Sequence, residues 1–158
     1  SYDDDVVFAA AWVHDIGVFI GHRPEDPEQL ARWDMLAYAM KVVPGILASV
    51  GFPAEKTPAV LEVIRTHQPS SSPATIEGTI LRDADMLELL GATGILRTVS
   101  KVGRDTRFHT FADALAVLRR HLEALPPRLS LESTRRLAEP RINLLRQFLQ
   151  QAAAEGAS

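Results

Sequence analysis

The chain of 158 residues has no cysteine. That absence excludes disulfides, thiolate nucleophiles and cysteine-ligated zinc in one step, and is compatible with any compartment. Aromatic residues are only 6% of the chain, and Trp33 and Tyr38 read as core or pocket wall rather than as a nucleobase-stacking platform. Charge of one sign is also lacking. With 17 Lys and Arg against 20 Asp and Glu, the net charge is -3, which leaves no electrostatic footprint for duplex nucleic acid and still admits a small nucleotide. The apolar run from Val6 to Val13 is far short of the roughly 20 residues a membrane helix needs. Nor is it flanked like a secretion signal, so a cytoplasmic enzyme that does not engage a membrane is the expectation.

What is present fits one soluble domain: 46% apolar and 23% charged residues are ordinary for a chain of this length with a single core. The apolar period is helical nearly everywhere and no segment alternates as a strand. An all-α fold follows, with helices over about 4–15, 27–50, 58–68, 75–90, 92–102, 111–124 and 131–154. Thr57 before Pro58 reads as an N-cap with proline at the first helical position, and Thr75 and Ser130 read as caps of the same kind. Pro44 and Pro140 are expected to kink or split their helices. The last helix carries Leu137, Ile142, Leu144, Leu145, Phe148 and Leu149, a stripe suited to the domain's own core and, as the alternative, to a homodimer.

Chemistry concentrates at His14-Asp15, an imidazole and a carboxylate adjacent at the end of an apolar helix that Gly17 terminates. An ionised Asp buried there requires compensation, which a divalent cation supplies. A second constellation lies at Asp83 and Asp85 within Leu81-Arg82-Asp83-Ala84-Asp85-Met86. Two residues apart, they point about 200° apart around a helix, so only one can face a given ion. His67, in the last turn of an amphipathic helix before Pro69, is placed either to ligate or to cap. His22 reads as an exposed loop residue, and His109 and His121 as surface residues.

Together, Ala10-Ala11-Trp12-Val13-His14-Asp15-Ile16-Gly17, then Val63-Ile64-Arg65-Thr66-His67, then Arg82-Asp83-Ala84-Asp85-Met86 running on to Gly94, resemble the HD-domain metal-dependent phosphohydrolase superfamily. The resemblance covers about residues 4–105 of a compact HD-type domain spanning 1–158, with further helices in 106–158. It implies that His14, Asp15 and Asp85 ligate a metal, with His67 a weaker candidate and Asp83 a substitute or a neighbour of the ligands. The family's upstream His has no counterpart before His14. A preceding segment, a second chain or a site without metal each accounts for that. Arg32-Trp33-Asp34 stands where two-metal members often place a His, which favours a mononuclear site.

Mixed imidazole and carboxylate ligation suits manganese, iron, cobalt, nickel or zinc. Such an ion lowers the pKa of a bound water from about 15.7 towards 7, giving a nucleophile at neutral pH. A carboxylate that does not ligate, Asp83 or Asp34, is then placed to orient that water or to act as general acid or base. Arg97, Lys101 and Arg104 recur at four and three on one expected helix face, with Arg107 beyond, and supply cationic clamps for a phosphate ester or nucleotide. A solvated basic last turn accounts for them equally well. The expected function is therefore a metal-dependent phosphohydrolase. The alternatives are a hydrolase or hydratase of the same fold acting on a non-phosphate small molecule, and a catalytically silent binding module.

Overall fold

The computed structural model of the chain describes residues 1–19, 21–105 and 107–156. The fold is all-α: the described residues form α1 (Asp4–Val13), α2 (Pro27–Ala31), α3 (Met35–Ser49), α4 (Thr57–Thr66), α5 (Ile76–Glu88), α6 (Gly91–Val99), α7 (Phe111–Ala124) and α8 (Glu132–Ala154), with no strand among them. None of these helices is long and apolar enough to cross a membrane. The chain divides into two compact units, Ser1–Arg82 and Asp83–Ser158.

In the first unit, α1 starts because the Asp3 carboxylate accepts hydrogen bonds from the Asp5 and Val6 amides, the arrangement that satisfies otherwise orphaned N–H groups. Lys56 bridges Asp3 and Asp5 at 3.0 and 2.6 Å. Val6, Ala9, Ala10 and Val13 recur at helical spacing and are buried with Val43, Val60, Val63 and Ile64. Fully buried valine and isoleucine side chains such as Val43, Val60 and Ile64 each contribute roughly 1.5–3 kcal/mol relative to exposure. The opposite face of α1 exposes Phe8 and Trp12, stacked edge to face at 6.2 Å.

The helix expected over 27–50 is two helices. Asp26 caps α2 through the Gln29 amide at 2.9 Å, and Asp34 starts α3 anew through the Ala37 amide at 2.9 Å. Pro44 splits nothing, since α3 runs through it. Burial of Val43 and Leu47 on either side offsets the roughly 3 kcal/mol a helix-interior proline costs. Thr57 is the first residue of α4 rather than its cap, because a 3-10 turn over Ala54–Lys56 leads directly into the helix. Thr75 caps as expected, its hydroxyl accepting from the Gly78 amide at 3.1 Å.

The second unit closes around Met86, Leu90, Leu118, Ala138 and Leu145. Helix α6 begins at Gly91, whose φ of 73° is the left-handed conformation glycine adopts without penalty. A Cβ there would also stand 2.9 Å from Arg141 Cβ. Thr110 and Asp113 form a reciprocal capping box on α7. Pro140 leaves α8 intact, and the apolar stripe on that helix is divided: Leu145 and Leu149 are buried whereas Leu137 and Leu144 are exposed. Ser130 is not the cap of α8. Its amide and that of Leu131 instead donate to the Asp83 carboxylate at 2.9 and 2.8 Å.

Candidate functional site

His14, Asp15 and His67 all belong to the first unit. Helix α1 ends at Val13 with His14 as its last αR residue, and Asp15 follows at φ -98°, ψ 17°, the sparsely populated region between helix and extended backbone where turn and active-site residues are found. His67 takes the equivalent place at the end of α4. Packing of α1 on α4 therefore brings together two helix C-termini, each ending in an imidazole. The rings stand edge to face with centroids 5.2 Å apart.

Each ring is held from behind in the same way. Nδ1 of His14 lies 3.0 Å from the Ala11 carbonyl, and Nδ1 of His67 lies 2.5 Å from the Ile64 carbonyl. A carbonyl only accepts, so both Nδ1 atoms carry the proton, and in the neutral ring the lone pair sits on Nε2. Nε2 of His14 faces Asp15 Oδ2 at 3.6 Å. Two acceptors stand opposite each other there, and a positive charge between them, a proton on the ring or a metal ion, removes the repulsion. Two donors about 2.1 Å from one ion at tetrahedral or octahedral angles are themselves about 3.0–3.4 Å apart, only slightly closer than this pair.

Asp15 is not enclosed. Its side chain is 43% exposed against 16% for His14, so water compensates its charge, and the expectation that burial forces an ion onto Asp15 is corrected. Among the described residues no three His, Asp or Glu stand as a ready-made group that could hold a metal.

The remaining expected residues have other surroundings. Asp83 is fully buried and serves the amides before α8. Asp85 is half-buried on α5. Asp34 caps α3. The basic residues do not share one helix face, because α6 ends at Val99 and leaves Lys101 and Arg104 in the turns beyond. Arg97 pairs with Glu88, Lys101 lies 5.5 Å over the Phe108 ring, Arg104 is exposed, and Arg107 pairs with Asp105 at 2.7 Å.

The chain matches no family model, no curated protein and no solved structure. Two features near His14-Asp15 carried little sequence signal. The Trp33 indole N–H donates to the Gly17 carbonyl at 2.9 Å, and His22, half-buried, has Nδ1 2.8 Å from the Tyr38 hydroxyl. In the second unit His121 is half-buried rather than on the surface. Burial, then the charges of Lys101 and Arg120, push its pKa below the ordinary histidine value, against a raising hydrogen bond with the Leu89 carbonyl.

Proposed function

We propose that the chain is a metal-dependent hydrolase of small phosphate esters or nucleotides, with His14, His67 and Asp15 as the residues of the first unit that hold the ion. The observation that carries this reading is the opposition of His14 Nε2 and Asp15 Oδ2 at 3.6 Å, with Nδ1 of His14 already committed to a carbonyl. The donor chemistry fits: neutral imidazoles and a carboxylate suit manganese, iron, cobalt, nickel and zinc, and fixing Nδ1 on a backbone carbonyl is how proteins orient a ligating imidazole. A divalent ion held there would supply Lewis acidity towards a phosphoryl oxygen and a lowered pKa for water. His14 and His67 each present one lone pair, and Asp15, open to solvent, supplies negative charge and an acceptor for a proton from water. The resemblance also assigns Asp85, so its variant belongs in the same experiment.

The test measures cobalt and manganese binding by calorimetry, together with hydrolysis of a chromogenic phosphomonoester. The wild type is expected to bind one ion and to turn over only with metal. His14→Ala is expected to abolish both and His67→Ala to weaken binding at least tenfold, while Asp85→Ala tests the ligand that the resemblance implies in the second unit. Binding without phosphoester hydrolysis would favour a non-phosphate substrate. A second reading rests on the same contact: a proton in place of the metal makes His14 and Asp15 an ion pair in a silent module. Absence of binding by the wild type, with the His14-Asp15 contact retained, would establish that reading.

A further inference from the structure

We propose that His121 is a proton-sensitive latch of the second unit: its neutral ring ties α7 to the corner between α5 and α6, and a proton added to that ring in mildly acidic solution loosens the unit. His121 stands in the last turn of α7, three residues after Leu118 and four before Leu125, both of which are buried in the second cluster. Its Nδ1 atom is buried and has no hydrogen-bond partner among the described residues, whereas the ring does hydrogen-bond the Leu89 carbonyl. A carbonyl only accepts, so Nε2 is the donor and Nδ1 holds the lone pair. The Leu89 carbonyl lies where α6 folds back on the end of α5, so close that a Cβ on Gly94 would collide with its oxygen. One imidazole N–H thus joins α7 to the junction of the two preceding helices.

This arrangement accepts the neutral ring and rejects the charged one. An imidazolium carries a donor on both nitrogens, and at Nδ1 the second donor would be buried without an acceptor, a costly placement. The charges that act on the ring have the wrong sign for a cation. They are Lys101, in the turns after α6 and 5.5 Å over the Phe108 ring, and Arg120, its neighbour on α7. The C-terminal end of α7 and the Leu89 bond favour a cation, but burial and these like charges outweigh them and hold the pKa below the ordinary value of 6.5. To take up a proton the ring must turn out to water, which breaks its bond to Leu89. A base whose folded pKa is depressed stabilises the fold in its neutral form, so the contribution is complete above about 6.5 and is lost as pH falls below it. An ordinary histidine in the unfolded chain goes from about one-tenth to about nine-tenths protonated between pH 7.5 and 5.5, which bounds the loss in the folding equilibrium at about tenfold.

The experiment compares hydrogen-exchange protection factors of the full chain at pH 7.5 and pH 5.5, in the wild type and in His121→Gln, and follows the His121 ring titration by NMR. The glutamine amide keeps a donor for the Leu89 carbonyl and does not titrate, so the comparison removes what every other titrating group contributes. Protection of α6 and α7 is expected to fall on acidification about three- to tenfold further in the wild type than in His121→Gln, with the wild-type ring titrating below 6.5. Equal falls in the two proteins, or a larger fall in His121→Gln, overturn the latch. A wild-type ring that titrates at or above 6.5 overturns it as well, and that measurement decides the question by itself if His121→Gln does not fold.

Discussion

At the residue scale, local pairing decides what each charged side chain is available to do. Asp105 illustrates this. The Arg107 guanidinium, hydrogen-bonded to both carboxylate oxygens at 3.0 and 2.7 Å, holds the Asp105 pKa down from 3.8 to about 2, against a smaller opposing effect of burial. A carboxyl whose folded pKa is depressed stabilises the fold in its ionised form. The contribution is complete above the ordinary value of 3.8 and is lost as pH falls through about 2, in the direction linkage requires. Because the Arg107 side chain is 75% exposed, solvent screening keeps the contribution below about 1 kcal/mol. Arg107→Ala is therefore expected to return the Asp105 titration towards 3.8, followed by carboxyl-carbon NMR, with a small stability loss near neutral pH that vanishes near pH 2. An unmoved titration would remove Arg107 as the cause. The same principle explains what was legible at the candidate site. His14 and Asp15 are neighbours in sequence, and their chemistry is visible without a fold. The exposure of Asp15, the approach of His67 and the Trp33 contact depend on how α1, α3 and α4 pack, and no spacing encodes them.

At the element scale, Asp83 shows why an acidic residue inside an apolar helix is ambiguous. Asp83 is fully buried and Asp85, two residues on, is half-buried. What Asp83 does there depends on residues 47 and 48 positions away. Its carboxylate receives two amides just before α8, a helix whose own N-cap residue, Leu131, has no capping side chain. Asp83→Ala leaves those amides unsatisfied in a partly buried place, where each lost acceptor costs on the order of 1–3 kcal/mol. A combined loss of about 2–3 kcal/mol, seen as a lower urea midpoint, is expected. Asp83→Asn, which keeps one acceptor oxygen, should lose less. Equal losses for the two variants would mean that negative charge, rather than acceptor geometry, is what the start of α8 uses. Helix positions themselves were largely readable, since apolar spacing and caps such as Asp34 and Thr110 are local. Neither Pro44 nor Pro140 splits its helix, because packing of α3 and α8 outweighs a local penalty.

At the scale of the whole molecule, the chain carries two hydrophobic clusters, one around Ile64 and one around Leu145, and these coincide with the division after Arg82. Each unit is small. A domain of about 60 residues buries only about 60% of the surface its unfolded chain exposes, so its stability margin is narrow and a single cavity consumes much of it. Ile64 and Leu145 are both fully buried, and truncation of either to alanine is expected to cost about 2–5 kcal/mol. If each unit is stabilised chiefly by its own cluster, hydrogen exchange will report the damage locally. Ile64→Ala should accelerate exchange of amides in α1, α3 and α4 well before those of α7 and α8, and Leu145→Ala should do the reverse. The candidate site would then depend on the first cluster alone, so Ile64→Ala would weaken cobalt binding while Leu145→Ala left it near the wild-type value. Uniform acceleration across all helices in both variants would instead show that the two clusters unfold as one cooperative unit, and the site would then lose metal to damage in either half.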